Sequence, residues 1–501
     1  MYRTKKYLAP LLSFVCLSMC ATLHAQSTTG TVIAGDLADP SIIKVDSVYY
    51  ATGTSSEWAP YYPVYKSANL KDWRQTGYVF DKAPEWTVGS FWAPEYYKIG
   101  DIYYIYYTAR RKSDNQSFIG VATSRYPDHG FTDHGVIIEH GKEAIDAFIY
   151  DDNGQRYITF KAYGLENRPI EILGYKLSAD GLKTEGEAFT LLKDDNRAGM
   201  EGQSILKKDN YYYLFYSAGN CCGGGCTYSV NVARATSFKG PYEYFEGNPI
   251  LSENDSWKCM GHGTFVAADD HQTYYLHHAY NKKSTVFTGR EALLSQLSWQ
   301  TPSGWPALKT VDIRTTTPVD LYDPFDGKKA AKYWQWDFRH ATPSIQQQKG
   351  TLRLSGVATK ENPAGIALTV RPITDNFEMS TSVTNHNKAL KGLVIYGDAN
   401  AAIGIGVEGD SVKVWKTENK QRITIKASPV PASAIGLKIA MSGGNNCEFF
   451  YQTDDATWTS LATGLATGSL AQWDRSPRLG LQYSGNKNEN AQFAFFRLHN
   501  K

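Results

Sequence analysis

The chain has 501 residues, of which 52 are Lys or Arg and 50 are Asp or Glu, so its formal net charge is +2. This balance argues against a nucleic-acid-binding protein, because such proteins usually carry a clear excess or stripe of basic residues. Hydrophobic residues make up 42% and charged residues 20%, which supports a buried core and excludes a globally disordered chain. The 13% of aromatic residues and the 43 Gly favour short strands, tight turns and a ligand that stacks on rings, so we predict an all-β protein.

The first 25 residues have the pattern of a secretory signal peptide. Basic residues within 3–6 precede an apolar run over 7–23, and a cleavage site follows at Ala25. We therefore expect an exported protein, periplasmic or secreted, with no membrane span, because no later segment approaches the roughly 18 apolar residues that a span requires. A lipoprotein attached through Cys20 is the alternative, but Met19 is a poor substitute for the small residue expected before the lipidated cysteine.

Five cysteines remain after such a cleavage, and four of them are clustered. In an oxidising compartment such a cluster favours disulfides over a metal site. The sequence Cys-Cys-Gly-Gly-Gly-Cys over 221–226 also lacks the two-residue spacing of zinc knuckles. We expect a buried thiol at Cys447 and at least one disulfide within the following set: Cys221, Cys222, Cys226 and Cys259.

Five segments repeat a polar turn that is followed by a tyrosine-rich strand. Their central tyrosines are Tyr50, Tyr104, Tyr157, Tyr213 and Tyr275, at intervals of 54, 53, 56 and 62 residues. Repeats of roughly 50 residues with about four short strands each are typical of β-propeller blades. We therefore predict a five-bladed β-propeller over residues 30–315, with a pair of β-sandwiches as the alternative.

The sequence pattern changes beyond about Thr317. Strand-like runs occur at 351–355, 392–396 and 412–415, separated by turns rich in Gly and Asn. This spacing suits a β-sandwich. We predict that residues 320–501 form an accessory β-sandwich domain of the jelly-roll or concanavalin-like kind, which either packs on the propeller, closes its pocket or binds glycan separately.

Ionisable residues occupy matching places in the five repeats. Asp39, Asp146 and Glu201 precede the tyrosine of their repeat by 11, 11 and 12 residues, while Glu95 precedes it by 9 and His262 by 13. These positions predict that all five lie on the innermost strand of each blade, which lines the central channel. Clustered carboxyl groups raise the pKa of at least one member, so that a protonated acid lies beside an ionised base, as glycoside hydrolysis requires. A calcium site or a structural hydrogen-bonded plug is the alternative interpretation.

Six short motifs together carry a resemblance to a known family. They are Ala38-Asp39-Pro40-Ser41, Trp92-Ala93-Pro94-Glu95, Ile145-Asp146-Ala147, Met200-Glu201-Gly202, Gly261-His262-Gly263-Thr264, and Gly289-Arg290 followed by Gly304-Trp305-Pro306. In this order, over residues 34–308, they resemble glycoside hydrolase family 43. The resemblance implies a five-bladed propeller and an inverting, exo-acting glycosidase that removes arabinofuranosyl or xylosyl residues from plant oligosaccharides and polysaccharides.

The same resemblance implies a role for individual residues. Asp39 would be the general base, Glu201 the general acid, and Asp146 the group that tunes the pKa of the acid and orients it. His262 would lie near the channel centre, where the family often holds a calcium ion or a water; no other cofactor is implied. Arg290 would approach the sugar or the carboxylates.

Several expectations stay open at this point. Trp58, Trp92 and Phe148 are candidate rings for stacking on sugar, although each is also a candidate core residue. The cysteine cluster at 221–226 is not part of the general family pattern. Cleavage of galactosides on the same scaffold and a non-catalytic glycan-binding propeller are the alternative functions. The expected partner is an oligosaccharide or polysaccharide, and the protein is expected to act as a monomer.

Overall fold

The computed structural model describes residues 30–284, 287–313, 320–431, 433–453 and 457–501. Within these ranges every regular element is a β-strand, as predicted from the composition. The predicted signal peptide lies outside the described residues. Across the part of the chain that is described, no helix is long and apolar enough to cross a membrane.

The first 22 strands of the described chain build the propeller. They are β1 (Thr31–Ile33), β2 (Ser41–Val45), β3 (Val48–Thr52), β4 (Trp58–Ala59), β5 (Tyr61–Ser67), β6 (Arg74–Phe80), β7 (Thr87–Ile99), β8 (Ile102–Arg111), β9 (Ser117–Ser124), β10 (Thr132–Ile138), β11 (Ala144–Asp152), β12 (Gln155–Ala162), β13 (Ile170–Leu177), β14 (Thr184–Asp194), β15 (Met200–Lys208), β16 (Tyr211–Ala218), β17 (Ser229–Ala235), β18 (Glu243–Tyr244), β19 (Trp257–Ala267), β20 (Thr273–Asn281), β21 (Arg290–Trp299) and β22 (Pro306–Thr310).

All of these strands except β4 form five antiparallel sheets, which are the five blades. Blade one has the order β2-β3-β5-β6, and blades two, three and four consist of β7 to β10, β11 to β14 and β15 to β18. In blade five, β19, β20 and β21 are joined by β22 and by β1 from the start of the chain. Because β1 pairs with β21, the last blade contains both ends of the propeller and closes the ring.

The hydrophobic core of the propeller is divided among the gaps between neighbouring blades. Blades one and two, for example, meet through Tyr62, Phe91 and Tyr107, whose ring centroids lie 5.7 Å apart for both Tyr62–Phe91 and Tyr62–Tyr107. Similar clusters fill the other four gaps. The aromatic excess of the sequence is therefore largely a packing feature, since edge-to-face rings fill the wedge between twisted sheets.

The innermost strand of every blade is bent at an equivalent place. One residue there has a left-handed backbone: Asp39 (φ 51°), Ala93 (42°), Asp146 (60°), Gly202 (60°) and His262 (42°). In blades two to five this residue falls where the ladder to the next strand shifts register. Such bulges turn a side chain out of its regular alternation and are common beside active sites. They direct side chains of the inner strands toward the propeller axis.

The remaining strands follow the propeller in the chain. They are β23 (Leu321–Asp323), β24 (Trp336–Asp337), β25 (Ala341–Gln348), β26 (Thr351–Ala358), β27 (Ile366–Val370), β28 (Phe377–Val383), β29 (Leu390–Asp398), β30 (Ala401–Glu408), β31 (Ser411–Glu418), β32 (Gln421–Pro429), β33 (Ile435–Ser442), β34 (Asn446–Gln452), β35 (Thr459–Ala466), β36 (Arg478–Ser484) and β37 (Ala491–Asn500). All of them except β24, which pairs with a propeller strand, belong to the two sheets of the second domain.

Two antiparallel sheets, one of eight strands and one of six, pack face to face in this domain. Cys447 lies in the core between them as a buried free thiol, as predicted. The predicted architecture, a five-bladed propeller followed by a β-sandwich, is therefore confirmed.

The two domains share a buried interface around Trp58. Strand β24 pairs with β4 of the propeller, so that Trp336 lies opposite Ala59. The indole of Trp58 is 1% exposed, and its ring centroid lies 6.0 Å from that of Tyr396 on the six-stranded sheet. The guanidinium of Arg478 covers the same indole at 4.9 Å. The expectation that Trp58 stacks on sugar is therefore wrong: its ring is covered by the second domain.

Candidate active site

Asp39 sits at the bend that precedes β2, in a ring of polar contacts. Thr54 Oγ1 donates a hydrogen bond to Oδ2 at 2.6 Å, and Arg290 Nη1 lies 3.2 Å from Oδ1. Burial of this carboxyl would raise its pKa, but the Arg290 guanidinium, with His262 beside it, outweighs burial and holds the pKa well below its usual range. Asp39 is therefore ionised at any pH near neutrality and can act as a base.

His278, on β20, supports Asp39 as a neutral imidazole. The backbone N–H of Asp39 donates to His278 Nδ1 at 3.0 Å, which requires an unprotonated nitrogen at that position. Burial lowers the pKa of His278 to about 4, in agreement with that assignment. The imidazole also stacks on the ring of Tyr228, with 5.7 Å between centroids. It therefore fixes the position of Asp39 by a hydrogen bond to its backbone.

Glu201, on the inner strand β15, is held by a cation and a phenol. Lys161 Nζ donates to Oε2 at 3.0 Å and also lies 3.2 Å from Glu143 Oε1, while Tyr228 Oη donates to Oε1 at 3.1 Å. Burial would raise the pKa of Glu201, but the adjacent Lys161 ammonium outweighs it and lowers the pKa. Glu201 is therefore held in its ionised form.

Asp146, on the inner strand β11, behaves in the opposite way. Burial raises its pKa to about 7; the negative charges of Glu201 and Asp39 add to this effect, and His262 and Lys161 oppose it. Its Oδ2 accepts a hydrogen bond from the N–H of Gly202 at 3.1 Å. Near neutral pH the proton of this pair therefore resides on Asp146. The expectation that Asp146 keeps Glu201 protonated is wrong, because the Lys161 ammonium lies beside Glu201 and lowers its pKa.

His262 lies between the two aspartates. Its Nδ1 is 3.4 Å from Asp39 Oδ1 and 3.8 Å from Asp146 Oδ2, and its backbone N–H donates to Ser217 Oγ at 2.8 Å. The ring occupies space that only a glycine leaves open, since a Cβ on Gly202 would lie 2.7 Å from His262 Cγ. His262 therefore lies between Asp39 and Asp146 at the propeller axis and contacts both carboxyl groups.

A calcium ion near His262 stays a prediction. In the described ranges, no three His, Cys, Asp or Glu side chains are arranged to hold a metal ion. Calcium takes six to eight oxygen ligands, and one carboxylate oxygen of Asp39 already faces Arg290 at 3.2 Å. The side chains present do not fit direct coordination, and no step below uses a metal.

Asp39, Asp146 and Glu201 line one pocket of about 350 Å³, together with His262 and Arg290. This volume lies at the small end of the range for ligand-binding sites, which suits one or two sugar units better than a polymer. Arg290 is 3% exposed and holds the base, as one of its two expected roles requires. Four of the five ionisable residues expected at the channel, Asp39, Asp146, Glu201 and His262, are thus brought together in this pocket. The expectation for Glu95 is wrong: it does not line the pocket, and its buried carboxyl group accepts a hydrogen bond from Ser41 Oγ at 2.6 Å.

The second domain supplies part of the pocket wall. Trp473 and Asp474, from the segment before β36, both line the pocket. Asp474 Oδ2 accepts hydrogen bonds from Ser56 Oγ at 2.9 Å and from Trp92 Nε1 at 3.3 Å, and its carbonyl oxygen accepts one from Arg290 at 3.1 Å. The β-sandwich therefore closes the pocket, one of the three roles considered for it.

The other predicted rings divide between the pocket and the core. Trp92 lines the pocket, beneath the guanidinium of Arg110 at 5.6 Å. Phe148 packs instead with the hydrophobic cluster between blades three and four, so its expected contact with sugar is wrong. It lies beyond the bend at Asp146, where the side chains alternate again between the two faces of the sheet.

Four residues that hold Asp39 and Glu201 in place could not be recognised from the sequence, and of these four only Lys161 also lines the pocket. Lys161, Thr54, His278 and Tyr228 lie on the strands and loops that follow the inner strands. A usable signal existed for Lys161, a charged residue that directly follows the largely apolar run 157–160 of its tyrosine strand and pairs with Ile145, next to Asp146. An ionisable group there is costly unless it is paired.

The clustered cysteines form two disulfides, Cys221–Cys222 and Cys226–Cys259. The first joins adjacent residues, and both of its cysteines line the pocket. The second connects the loop after β16 to the inner strand β19 of blade five. Cys226 and Cys259 pack with Tyr228 and Tyr280 behind the pocket wall.

Comparison with known proteins agrees with this geometry. Residues 28–306 match the model of glycosyl hydrolases family 43, and residues 322–498 match the β-xylosidase C-terminal concanavalin A-like domain. An extracellular exo-α-(1→5)-L-arabinofuranosidase of Cellvibrio japonicus is 30% identical over 330 residues, which cover 58% of this chain and 91% of that protein. An extracellular endo-α-(1→5)-L-arabinanase of Bacillus subtilis is 28% identical, over 54% of this chain and 87% of that protein.

Solved structures match both domains at once. A family 43 protein of Bacillus licheniformis superposes with a TM-score of 0.81 at 20% identity, over 94% of this chain and all of that one. A xylan β-1,4-xylosidase of Bacillus halodurans also gives 0.81, at 21% identity, over 93% and 99% of the two chains. At these identities the likeness concerns the fold. Since the family model covers more than half of the residues, including Asp39, Asp146 and Glu201, this chain belongs to glycoside hydrolase family 43.

Proposed function

We propose that this protein is an exo-acting, inverting glycosidase that removes terminal α-L-arabinofuranosyl or β-D-xylosyl residues from plant oligosaccharides and polysaccharides. One observation carries the proposal: a single small pocket contains an ionised carboxylate, Asp39, and a second pair of carboxyl groups, Asp146 and Glu201, that shares a proton near neutral pH. Glycoside hydrolysis needs such a division between a base and an acid.

In the proposed reaction, Asp39 removes a proton from water as the water attacks the anomeric carbon. Glu201 donates a proton to the departing oxygen at the same time, so that the anomeric configuration inverts. Asp146 and Glu201 titrate as a pair because each changes the charge that the other experiences. The pair holds one proton below about pH 7, the pKa of Asp146, and delivers it through Glu201.

Exo action is supported by the shape of the pocket. A polymer that passes through an active site needs a groove open at both ends, whereas here Trp473 and Asp474 of the second domain extend over one side. Asp474 is fixed there by hydrogen bonds to Ser56, Trp92 and Arg290. A terminal sugar can enter such a pocket, and the rest of the chain stays outside.

Two different similarities support arabinose and xylose as the sugars that are removed. The propeller resembles an exo-arabinofuranosidase, and the second domain matches one found in β-xylosidases. Both sugars are pentoses, and both fit a pocket of about 350 Å³. Galactoside cleavage and glycan binding without catalysis have no specific observation in their favour.

We also propose that the protein is exported and meets its substrate outside the cytoplasm. The similar proteins from C. japonicus and B. subtilis are extracellular. The two disulfides agree with an oxidising compartment.

A panel of 4-nitrophenyl glycosides tests the proposal. We expect hydrolysis of the α-L-arabinofuranoside or the β-D-xyloside and much slower hydrolysis of the β-D-galactoside. Proton NMR of the first turnovers should show the inverted anomer. An initially retained anomer would overturn the role of Asp39, and a lack of hydrolysis of both pentosides would overturn the proposed specificity. Asp39→Asn is the matched control, since it keeps the shape of the side chain and removes the base that every substrate needs.

A further inference from the structure

The loop between β16 and β17, residues 219–228, is tied firmly to blade five; we call it the disulfide loop. Its three tethers are the Cys226–Cys259 disulfide, a hydrogen bond from the Gly223 N–H to Tyr280 Oη at 3.0 Å, and one from Lys258 Nζ to the Gly224 carbonyl at 3.1 Å. The loop also closes on itself, because the Thr227 N–H donates to the Asn220 carbonyl at 3.0 Å. It therefore presents a fixed surface.

Both ends of the disulfide loop lie beside the proposed acid. Glu201 pairs with Ser217 across β15 and β16, so the loop begins two residues beyond the strand partner of the acid. At its other end, Tyr228 donates a hydrogen bond to Glu201. Since Glu201 protonates the departing oxygen, the wall formed by this loop lies on the side of the leaving group.

This wall is apolar where it faces the pocket. Cys221 and Cys222 line it, together with Leu165 and Trp473. Leu165 is 61% exposed and Trp473 is 62% exposed, which is unusual for side chains of this size. Exposed apolar groups that gather around a concave site mark a binding surface. The two sulfur atoms add a polarizable, apolar surface to it.

The propeller and sandwich parts of this wall meet at Gly223. Gly223 has a φ of +76°, and a Cβ there would lie 3.7 Å from Cδ1 of the Trp473 indole and 3.5 Å from the Trp473 carbonyl oxygen. The disulfide loop and Trp473 are thus neighbours although they belong to different domains.

The Cys221–Cys222 bond contributes little as a chain cross-link. A disulfide restricts the unfolded chain in proportion to the loop that it closes, and this one joins residues with a sequence separation of 1, against 33 for Cys226–Cys259. The second disulfide already anchors the loop. Cys221–Cys222 lies in the pocket wall, so we look for its role in the surface that it presents to the pocket.

We propose that Cys221–Cys222, Leu165 and Trp473 form the leaving-group subsite, which binds the sugar that is released when the glycosidic bond breaks. The inference rests on the proposed function. The ligand is a neutral sugar unit, packed through its C–H face against the disulfide and the indole, because none of these side chains can ionise. Asn220, exposed at the rim of the same wall, supplies an amide for the hydroxyl groups of that sugar.

The test compares two substrates with the same terminal sugar. One is a linear trisaccharide, and the other is the corresponding glycosyl fluoride, which has no leaving-group sugar. In Cys221→Ser/Cys222→Ser and in Trp473→Ala, we expect the ratio of kcat/KM for the trisaccharide to that for the fluoride to fall about tenfold or more, as loss of apolar contact in a sugar site predicts. Trp458→Ala, in the second domain but outside the pocket lining, is the matched control and should leave the ratio unchanged.

A binding measurement on protein that keeps both cysteines tests the same subsite without the serine variants. Isothermal titration of the trisaccharide into Glu201→Gln protein should show weaker binding after Cys221–Cys222 is reduced by a phosphine. That reagent becomes a phosphine oxide, taking its oxygen from water, as the disulfide gains two electrons and two protons and becomes two thiols. Thiol alkylation and mass spectrometry identify the reduced pair.

An unchanged ratio, an equal loss on both substrates, or unchanged affinity after reduction of Cys221–Cys222 would each overturn the subsite. Failure of the wild-type protein to hydrolyse either substrate would instead overturn the proposed function. The two failures are therefore distinguishable.

Discussion

Lys161 Nζ lies 3.0 Å from Glu201 Oε2, so the residue proposed to release a proton is paired with a buried cation. The same ammonium lies 3.2 Å from Glu143 Oε1, which leaves it shared between two carboxylates. This pairing moves the proton of the acid pair to Asp146. It also makes the pH dependence of the enzyme a direct test of the site.

The pH profile of the wild-type enzyme should have one limb near neutrality. Activity requires a proton on the Asp146–Glu201 pair, and that proton is lost as the pH rises through about 7. Asp39 stays ionised on the acid side, because its pKa is held well below the usual range. We expect kcat/KM for an oligosaccharide to fall above about pH 7 and to stay level down to about pH 5. A plot of log kcat/KM against pH checks this, and an acid limb near 6 would contradict it.

Two variants should move that limb in opposite directions. Lys161→Gln removes a charge that lowers the pKa of both carboxyl groups, so the limb should move to higher pH. Asp146→Asn removes the group that retains the proton, so the limb should move to lower pH as activity falls. The same pH series on both variants measures the shifts. Movement in the same direction would contradict the shared proton.

Asp39→Asn should reduce turnover on all substrates by about 10²–10⁴-fold, the usual contribution of a general base. The loss should not depend on the leaving group, since the attacking water needs the base in every case. Kinetics with an oligosaccharide and an activated aryl glycoside measure it. A loss confined to the oligosaccharide would assign Asp39 to binding instead.

Glu201→Ala should discriminate between those two substrates. An oligosaccharide leaves as a poor alkoxide and needs the proton, so its kcat should fall by about 10²–10⁴-fold. A dinitrophenyl glycoside leaves without protonation, so its kcat should fall far less. A comparison of kcat for both substrates gives the result, and equal losses would contradict the assignment of the acid.

Trp58→Ala should affect stability and not sugar binding. Its indole is buried between the domains, and truncation of such a ring costs about 3–5 kcal/mol of the free energy of unfolding. Thermal denaturation should show the loss, while KM per folded molecule stays close to that of the wild type. Trp473→Ala, on an exposed ring, is the comparison, with little effect on stability. A raised KM for Trp58→Ala with unchanged stability would contradict this interpretation.

The sequence predicts the blade count and the inner-strand residues because both depend on regular spacing. Five tyrosine strands at near-constant intervals define the repeat, and counting back from them places Asp39, Asp146, Glu201 and His262 on inner strands. The same spacing cannot show which side of a strand a ring faces once a bend intervenes, which is why Phe148 was misassigned. Trp58 was misassigned for another reason, since its neighbours come from the second domain.

The proton distribution of the site could not be predicted either. It depends on Lys161, whose distance from Glu201 follows from the packing of blade three against blade four. The place of Trp473 and Asp474 in the pocket could not be predicted, because they lie more than 160 residues after the propeller ends and no local sequence pattern links them to the pocket. Contacts between domains are the part of a site that periodicity leaves undetermined.

The left-handed bend on each inner strand makes the propeller a pseudo-symmetric holder with five equivalent slots. In chain order, these slots are occupied by Asp39, Ala93, Asp146, Gly202 and His262. The backbone is therefore nearly the same in every slot, and the slots differ in function because they carry different side chains. Three slots carry a polar group, at Asp39, Asp146 and His262, and the proposed acid Glu201 stands one residue before the slot at Gly202. Gly202 has no room for a side chain, because a Cβ there would lie 2.7 Å from His262 Cγ, so Ala93 is the slot at which a further polar side chain can be tested.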